Sequence, residues 1–160
     1  MALLPAALFG YSVATLITAY GFEHLGGLEP CILCVYERTP WMAAIALSGL
    51  ALFFRHRPRR ALHLALAAVL LAGGALALYH VGVEQKIVEG PAVCDPGIGA
   101  VESIEELREK LEGRPIVRCD EPAWIFLGLS MAAWNGVLSG LGALAALGAA
   151  LQPNGRRGRA

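Results

Sequence analysis

Four long stretches that are almost free of charge constrain this chain more than any motif in it: residues 3–22, 35–54, 61–83 and 123–151. A helix needs about 20 apolar residues to cross the hydrocarbon core of a bilayer. The first three stretches fit that length, and the fourth has residues to spare. A soluble helix bundle would need a polar face on each helix to meet water, and these stretches have none. Composition agrees. The chain is 56% hydrophobic and only 16% charged, where a soluble domain is nearer a quarter charged. The opening "MALLPAALFGYSVATLITAYG" lacks a basic leading segment. Its apolar run is also long for a signal peptide, whose apolar region is about 7–15 residues. It reads as a retained first helix. The expected fold is all-α, one integral membrane four-helix bundle over residues 1–160.

Charge predicts the orientation. Arg55, Arg57, Arg59 and Arg60 crowd the connection between the second and third stretches, and Arg156, Arg157 and Arg159 follow the fourth. Neither segment holds an acid, and short basic loops stay in the cytoplasm. Loop 55–60, the tail 152–160 and both termini are therefore expected on the cytoplasmic side. Segments 23–34 and 84–122, which carry acids from Glu23 to Glu121, are expected outside, in a bacterium the periplasm. Within the second of these, "SIEELREKLEG" reads as a short amphipathic helix. Ser103 and Glu106 have capping-box spacing, Ile104, Leu107 and Leu111 share a face, and Gly113 with Pro115 ends it. No repeat, nucleotide loop or nucleic-acid motif stands out.

The four cysteines all fall on the outward side. Cys31 and Cys34 form a C-x-x-C in "PCILCVYER", and Cys94 and Cys119 lie in the second outer loop. Three readings are open for such a set: a redox relay, a four-cysteine metal site with His24 or His80 in reserve, or structural staples. A second outward pair in a small membrane protein favours redox chemistry, because disulfides persist on that side. The nucleophile in thiol exchange is the thiolate, and a C-x-x-C motif, a helix start and a nearby cation all favour it. Cys34 is expected in the first turn of the second helix, where the helix dipole favours a negative sulfur. Arg38 follows four residues on, on the same face. An arginine there is costly in a membrane. It either snorkels, paired with Glu23 or Glu37, or stabilises an anion formed among the helices. His80, at the outer end of the third stretch, is an interface residue or a donor to the same acceptor. No dinucleotide fingerprint is present, so by elimination the expected electron acceptor is a membrane quinone, ubiquinone or menaquinone.

"EPCILCVYER", "LYHVGVEQ", "PAVCDPG" and "RCDEPAWIFLGLSMAAWN" together resemble the DsbB family, and the similarity covers nearly the whole chain. The related vitamin K epoxide reductase-like proteins carry their two pairs in the opposite order. The resemblance implies a four-helix quinone reductase that reoxidises a DsbA-like periplasmic thiol oxidase, a pathway known for that family rather than read from these residues. It implies that Cys94 and Cys119 form the disulfide attacked by the partner, with Cys119 relaying electrons inward. Cys31 and Cys34 would form the second disulfide, Cys34 facing the quinone with Arg38 beside a ring oxygen and His80 as a secondary contact. A monomer is expected. Small residues at four-residue spacing, Gly10, Ala14 and Thr18 in the first stretch and Ala132, Gly136 and Gly140 in the fourth, are expected to pack the bundle. Trp124 is the best candidate for an interfacial anchor.

Overall fold

A computed structural model describes residues 3–53, 59–91, 94, 103–104 and 117–151. Four helices carry the fold: α1 (Leu3–His24), α2 (Ile32–Phe53), α3 (Arg59–Glu84) and α4 (Met131–Leu151). Helices α1, α3 and α4 are long and apolar enough to cross a membrane. Helix α2 has the same length as α1 but carries Glu37, Arg38 and Pro40. The expected loop helix at 103–113, the 55–60 connection and the 152–160 tail lie essentially outside the described residues.

Successive helices are neighbours: α1 packs on α2, α2 on α3, and α3 most extensively on α4, while α4 meets α1 only lightly. Two apolar clusters result. The larger joins Leu8, Leu16, Trp41, Ala44, Leu66, Leu70 and Ala143 through the middle of the bundle. The smaller gathers Cys31, Leu33, Val83 and Cys119 at one end. Hydroxyls inside the apolar helices bond back to their own turns, as Ser12 does to the Leu8 carbonyl and Ser48 to that of Ala44, both buried. Such back-bonding lets a polar side chain sit in an apolar helix without an outside partner.

Small residues do bring helices together, but not all of the expected ones. On α4 the buried set is Ala132, Ser139, Gly142, Ala143, Ala146 and Ala150. Gly140 faces open space, and Gly136 meets only the Ala77 side chain. On α1, Gly10, Ala14 and Thr18 are exposed on the bundle, and the residues that pack are Pro5, Leu8, Ser12 and Leu16. The reason is the sparse α1–α4 contact: α1 turns its bulky stripe to α2 and leaves its small stripe beside a gap. The closest helix approach is at Gly73, where an added Cβ would lie 2.9 Å from the Pro40 Cβ.

The fourth apolar stretch is not helical from its start. Ile125–Phe126 and Leu129–Ser130 pair as a two-stranded antiparallel hairpin. Its turn places Leu127 at φ 52° and Gly128 at φ 79°. Two successive positive φ values are the signature of a tight hairpin turn whose twist suits the flanking strands. Helix α4 then starts at Met131, with the Ser130 hydroxyl accepting from the Ala133 N–H at 3.2 Å. That is an ordinary serine N-cap.

Candidate active site

Helix α2 begins on a cysteine. The Val35 N–H bonds to the Cys31 carbonyl at 3.1 Å, the first turn of the helix. The Cys31 sulfur in turn accepts the Cys34 N–H at 3.2 Å. Cys31 therefore occupies the N-cap, with sulfur in the role usually filled by a serine or aspartate oxygen. The Cys34 Sγ lies 3.0 Å from the Cys31 Sγ. The two are free thiols in van der Waals contact, not a disulfide, so this pair is present in its reduced form.

The hydrogen bonds at the helix start favour the negative charge on Cys31, whereas the sequence pointed to Cys34. A hydrogen bond donated by the Cys34 thiol is the largest influence on Cys31. With the bonds from His80 and from the Cys34 amide it outweighs burial and pulls the Cys31 pKa from 9.0 down to about 4. The physical reason is position. The cap residue receives the unpaired amides and the positive end of the helix dipole, while Cys34, in the first turn, is itself a donor to the cap. A depressed pKa stabilises the folded dithiol above the thiol's ordinary range. That stabilisation is lost as pH falls toward about 4. The expected result is an ultraviolet thiolate band, in protein with the inner pair reduced, that persists from neutral pH to about pH 4–5. It should vanish in Cys31→Ser and titrate at higher pH in Cys34→Ser. A band titrating near pH 9 in the parent protein would refute the cap assignment.

The outer cysteines are joined as the Cys94–Cys119 disulfide. A four-thiolate metal site is incompatible with that bond. What remains near the inner pair is Cys31, Cys34 and His80, whose ligand atoms all lie within 4.8 Å of one another. Cys119 is 1% exposed and sits in the same apolar cluster as Cys31, with Cys34 and Cys94 packed against it. All four cysteines thus converge at one end of the bundle. Cys94 is less buried and opens on a groove of about 640 Å³ bounded by Lys86–Pro91, Arg118 and Asp120. Two hydrogen bonds from Arg118 hold the Asp120 carboxyl below its ordinary pKa beside Cys119.

His80 is near the inner pair, but not where expected. Its Nε2 lies 3.5 Å from the Cys31 Sγ, and its Nδ1 2.8 Å from Glu37 Oε1. It is buried behind the cysteines, and it is absent from the wall of the cavity that Cys34 and Arg38 share. That cavity, about 340 Å³, fills the gap between α1, α2 and α4. Its walls are mostly apolar, with Trp41, Trp134 and Leu138 opposite Ala14 and Thr18. Trp124, the expected interfacial anchor, lines this cavity, stacked on Phe126 and tilted against Phe22. Arg38 points into the same space, with its guanidinium 4.5 Å from the Tyr20 ring and 2.6 Å from Glu23 Oε2. That oxygen has no aligned hydrogen bond, so the contact with Glu23 is a Coulombic pair.

Three residues join the site that the sequence reading did not assign to it. Glu37 bridges His80 and Asn135, whose Nδ2 lies 2.7 Å from Glu37 Oε2. Asn135 also accepts the Trp41 indole N–H at 2.7 Å. A signal was there to be read. A carboxylate two residues into an apolar stretch, and the single amide of the fourth stretch, are costly inside a membrane and mark function by default.

Residues 2–149 match the protein family described as Disulfide bond formation protein DsbB. Among curated proteins, the chain is 35% identical to the Disulfide bond formation protein B of Methylococcus capsulatus, over 87% of this chain and 88% of that one. It is 36% identical to the protein of that name from Marinobacter nauticus, over 79% and 77%, and 32% identical to that of an Azoarcus species, over 88% and 87%. No solved structure matches the chain. With a family match over nearly its whole length, four helices of which three are long and apolar enough to cross a membrane, and two cysteine pairs at one end of them, this chain belongs to the DsbB family of membrane disulfide bond formation proteins.

Proposed function

We propose that the protein reoxidises a DsbA-like periplasmic thiol oxidase and delivers the electrons, through its two cysteine pairs, to a membrane quinone. The observation that carries this reading is the convergence of a half-buried disulfide, a largely buried cysteine pair and an apolar cavity at one end of the bundle. A disulfide oxidoreductase needs an inlet for thiols and an outlet for electrons. Here the groove at Cys94 and the cavity at Cys34 share no lining residue.

The residues around the cavity fit a quinone. Its volume and apolar walls suit a ring with an isoprenoid tail. Arg38 supplies a cation and Cys34 a thiol on the wall. Arg38 and Cys34 are the residues that would hold it, with His80 acting through Cys31 and not by contact. When bound, a quinone supplies a two-electron, two-proton acceptor. The chain's own residues do the rest. A partner thiolate attacks Cys94, the Cys94–Cys119 bond breaks, and Cys119 leaves as a thiolate. Cys119 then attacks the inner pair in its disulfide form and displaces one of its two sulfurs as a thiolate. The partner's second thiol attacks the mixed disulfide and leaves as the partner's disulfide, freeing Cys94. The Cys94 thiolate attacks Cys119 in the inter-pair bond, restores Cys94–Cys119 and leaves Cys31 and Cys34 as dithiol. A stabilised Cys31 thiolate favours the reduced inner pair and so makes that pair the stronger oxidant. Charge supports a bacterial inner-membrane location, termini and basic loop 55–60 in the cytoplasm, cysteines in the periplasm, and the reading takes the protein as a monomer.

The test is anaerobic mixing of a reduced DsbA-like protein with catalytic amounts of this protein and a quinone, following quinone absorbance and partner thiols together. One quinone consumed for each partner disulfide formed is the expected result. Partner oxidation without quinone loss, or bound metal with all inner thiols unreactive, would sink the reading.

A further inference from the structure

We propose that Trp41 and Asn135 form a positioning pair which, through Glu37, fixes which ring nitrogen of His80 faces Cys31 without a proton. The inference rests on the thiol-oxidising role above and concerns residues that the role itself does not require.

Five groups from three helices form one buried line. Trp41 Nε1 is 2.7 Å from Asn135 Oδ1, Asn135 Nδ2 is 2.7 Å from Glu37 Oε2, Glu37 Oε1 is 2.8 Å from His80 Nδ1, and His80 Nε2 is 3.5 Å from the Cys31 Sγ. Trp41, Glu37 and His80 are 2%, 6% and 2% exposed. Asn135 is half-buried on the cavity wall, but both ends of its amide are engaged by buried partners, so the direction of the line is set by its least adaptable member.

That member is the indole. Its N–H can only donate, while an amide offers one acceptor end and one donor end, and an imidazole exchanges the two roles between its nitrogens. Facing Trp41, the Asn135 side chain must present its oxygen. Its NH2 group is then turned to Glu37, so Oε2 receives a hydrogen and does not offer one. A donor held on one carboxylate oxygen favours the arrangement in which the other oxygen accepts as well. Oε1 accepts from His80, so Nδ1 carries the hydrogen and Nε2 is bare toward Cys31. The other titratable group beside His80, Glu84 on the same helix, is taken by the Ser130 hydroxyl and does not compete for Nδ1. In this tautomer His80 can take the Cys31 proton. The S–H bond breaks, an Nε2–H bond forms, sulfur keeps the electron pair, and the imidazolium is backed by Glu37. With the amide turned over, two donors would face each other at Trp41 and two acceptors at Glu37.

The prediction is read on the full-length protein in detergent micelles with both cysteine pairs oxidised, by nitrogen NMR of isotope-labelled histidine. The His80 signal is identified by its loss in His80→Gln. Wild-type His80 should be the Nδ1–H tautomer, the minority form of free histidine. Asn135→Leu and Trp41→Phe should each lower the ratio of Nδ1–H to Nε2–H by about tenfold, the equivalent of one hydrogen bond to a charged group. Trp41→Phe keeps a ring in the core and removes only the donor end, so it serves if Asn135→Leu does not fold. A wild-type Nε2–H tautomer, or a ratio unmoved in whichever variants fold, overturns the proposal. Because the spectrum is taken without quinone or partner, a protein that shows this tautomer and yet fails to reduce quinone leaves the positioning pair standing and sinks only the oxidase reading.

Discussion

Cys94→Ser is expected to abolish oxidation of the partner protein while leaving the inner dithiol able to reduce quinone. Exposure decides which sulfur is attacked. Thiol exchange requires the incoming sulfur to approach the target sulfur directly, so access governs it as much as thiolate chemistry does. Cys119 is 1% exposed, whereas Cys94 is half-buried and borders the groove. Attack at Cys94 also expels Cys119 as the leaving thiolate within the cluster that holds Cys31, where the inner pair is within its reach. Attack in the other sense would leave the free thiolate at the groove, away from the inner pair. In Cys94→Ser no outer disulfide exists, and the partner dithiol has nothing to attack, so partner turnover should fall to the background seen without the protein. A small dithiol supplied to reduce the inner pair should still drive quinone reduction at near the parental rate. Two measurements decide it: partner thiols remaining with time, and quinone absorbance with the small dithiol. Sustained partner turnover in Cys94→Ser would place the inlet elsewhere. Cys119→Ser leaves Cys94 as a lone thiol. Supplied with the oxidised partner, the Cys94 thiolate should attack the partner's disulfide, expel the partner's second sulfur as a thiolate and form a mixed disulfide, visible as a shifted band on a non-reducing gel.

How much of this was legible beforehand follows from which forces are local. Apolar runs and their lengths are a property of the chain alone, and the first three helices arrived within a few residues of the expected stretches, while the fourth began at Met131 and not at residue 123. The cap on Cys31 was nearly legible. The proline before it and the C-x-x-C spacing put a cysteine at the helix start, but whether α2 began at Ile32 or Val35 decided which sulfur received the amides. The hairpin at 125–130 was hidden because Ile, Phe and Leu serve a strand and a membrane helix equally, and only the Leu127–Gly128 turn separates them. The small-residue stripe on α1 misled because spacing says that a face permits close approach, not that a neighbour is there. The α1–α4 gap, which makes the cavity, is a matter of how four helices share three good interfaces. His80 was rightly placed near the cysteines by depth. Its direction depended on Glu37 and Asn135, 43 residues before it and 98 residues beyond Glu37 respectively, a tertiary fact no local pattern contains.

Arg38→Met is expected to lower quinone reduction by about one to two powers of ten, and Arg38→Lys by distinctly less. Arg38 is 12% exposed at its side chain, its guanidinium lies over Tyr20, and its charge is paired with Glu23. One contact with a carboxylate occupies part of a group that has five N–H donors, and the guanidinium still borders the cavity wall with Cys34. An oxidised quinone gains charge only as it accepts electrons. A cation beside it therefore favours the later states over the starting one, the differential stabilisation that speeds a reaction. Losing a charge-assisted hydrogen bond of roughly 1.5–3 kcal/mol corresponds to about one to two powers of ten in rate. Lysine keeps the charge but not the planar fork, hence the partial activity. Glu23→Gln separates the two roles open to this arginine. If the ion pair is the whole purpose of Arg38, breaking it from either side should be equally damaging. If the charge serves the cavity, Glu23→Gln leaves that charge in place. The loss should then be small, about fivefold or less for a partly exposed pair. Steady-state quinone reduction for all three variants, over ranges of quinone and of partner concentration, measures this directly. Wild-type rates in Arg38→Met, or equal losses in Arg38→Met and Glu23→Gln, would leave Arg38 as a structural partner of Glu23 and nothing more. The partner's apparent affinity should stay the same throughout, because the groove at Cys94 and the cavity at Arg38 share no residue.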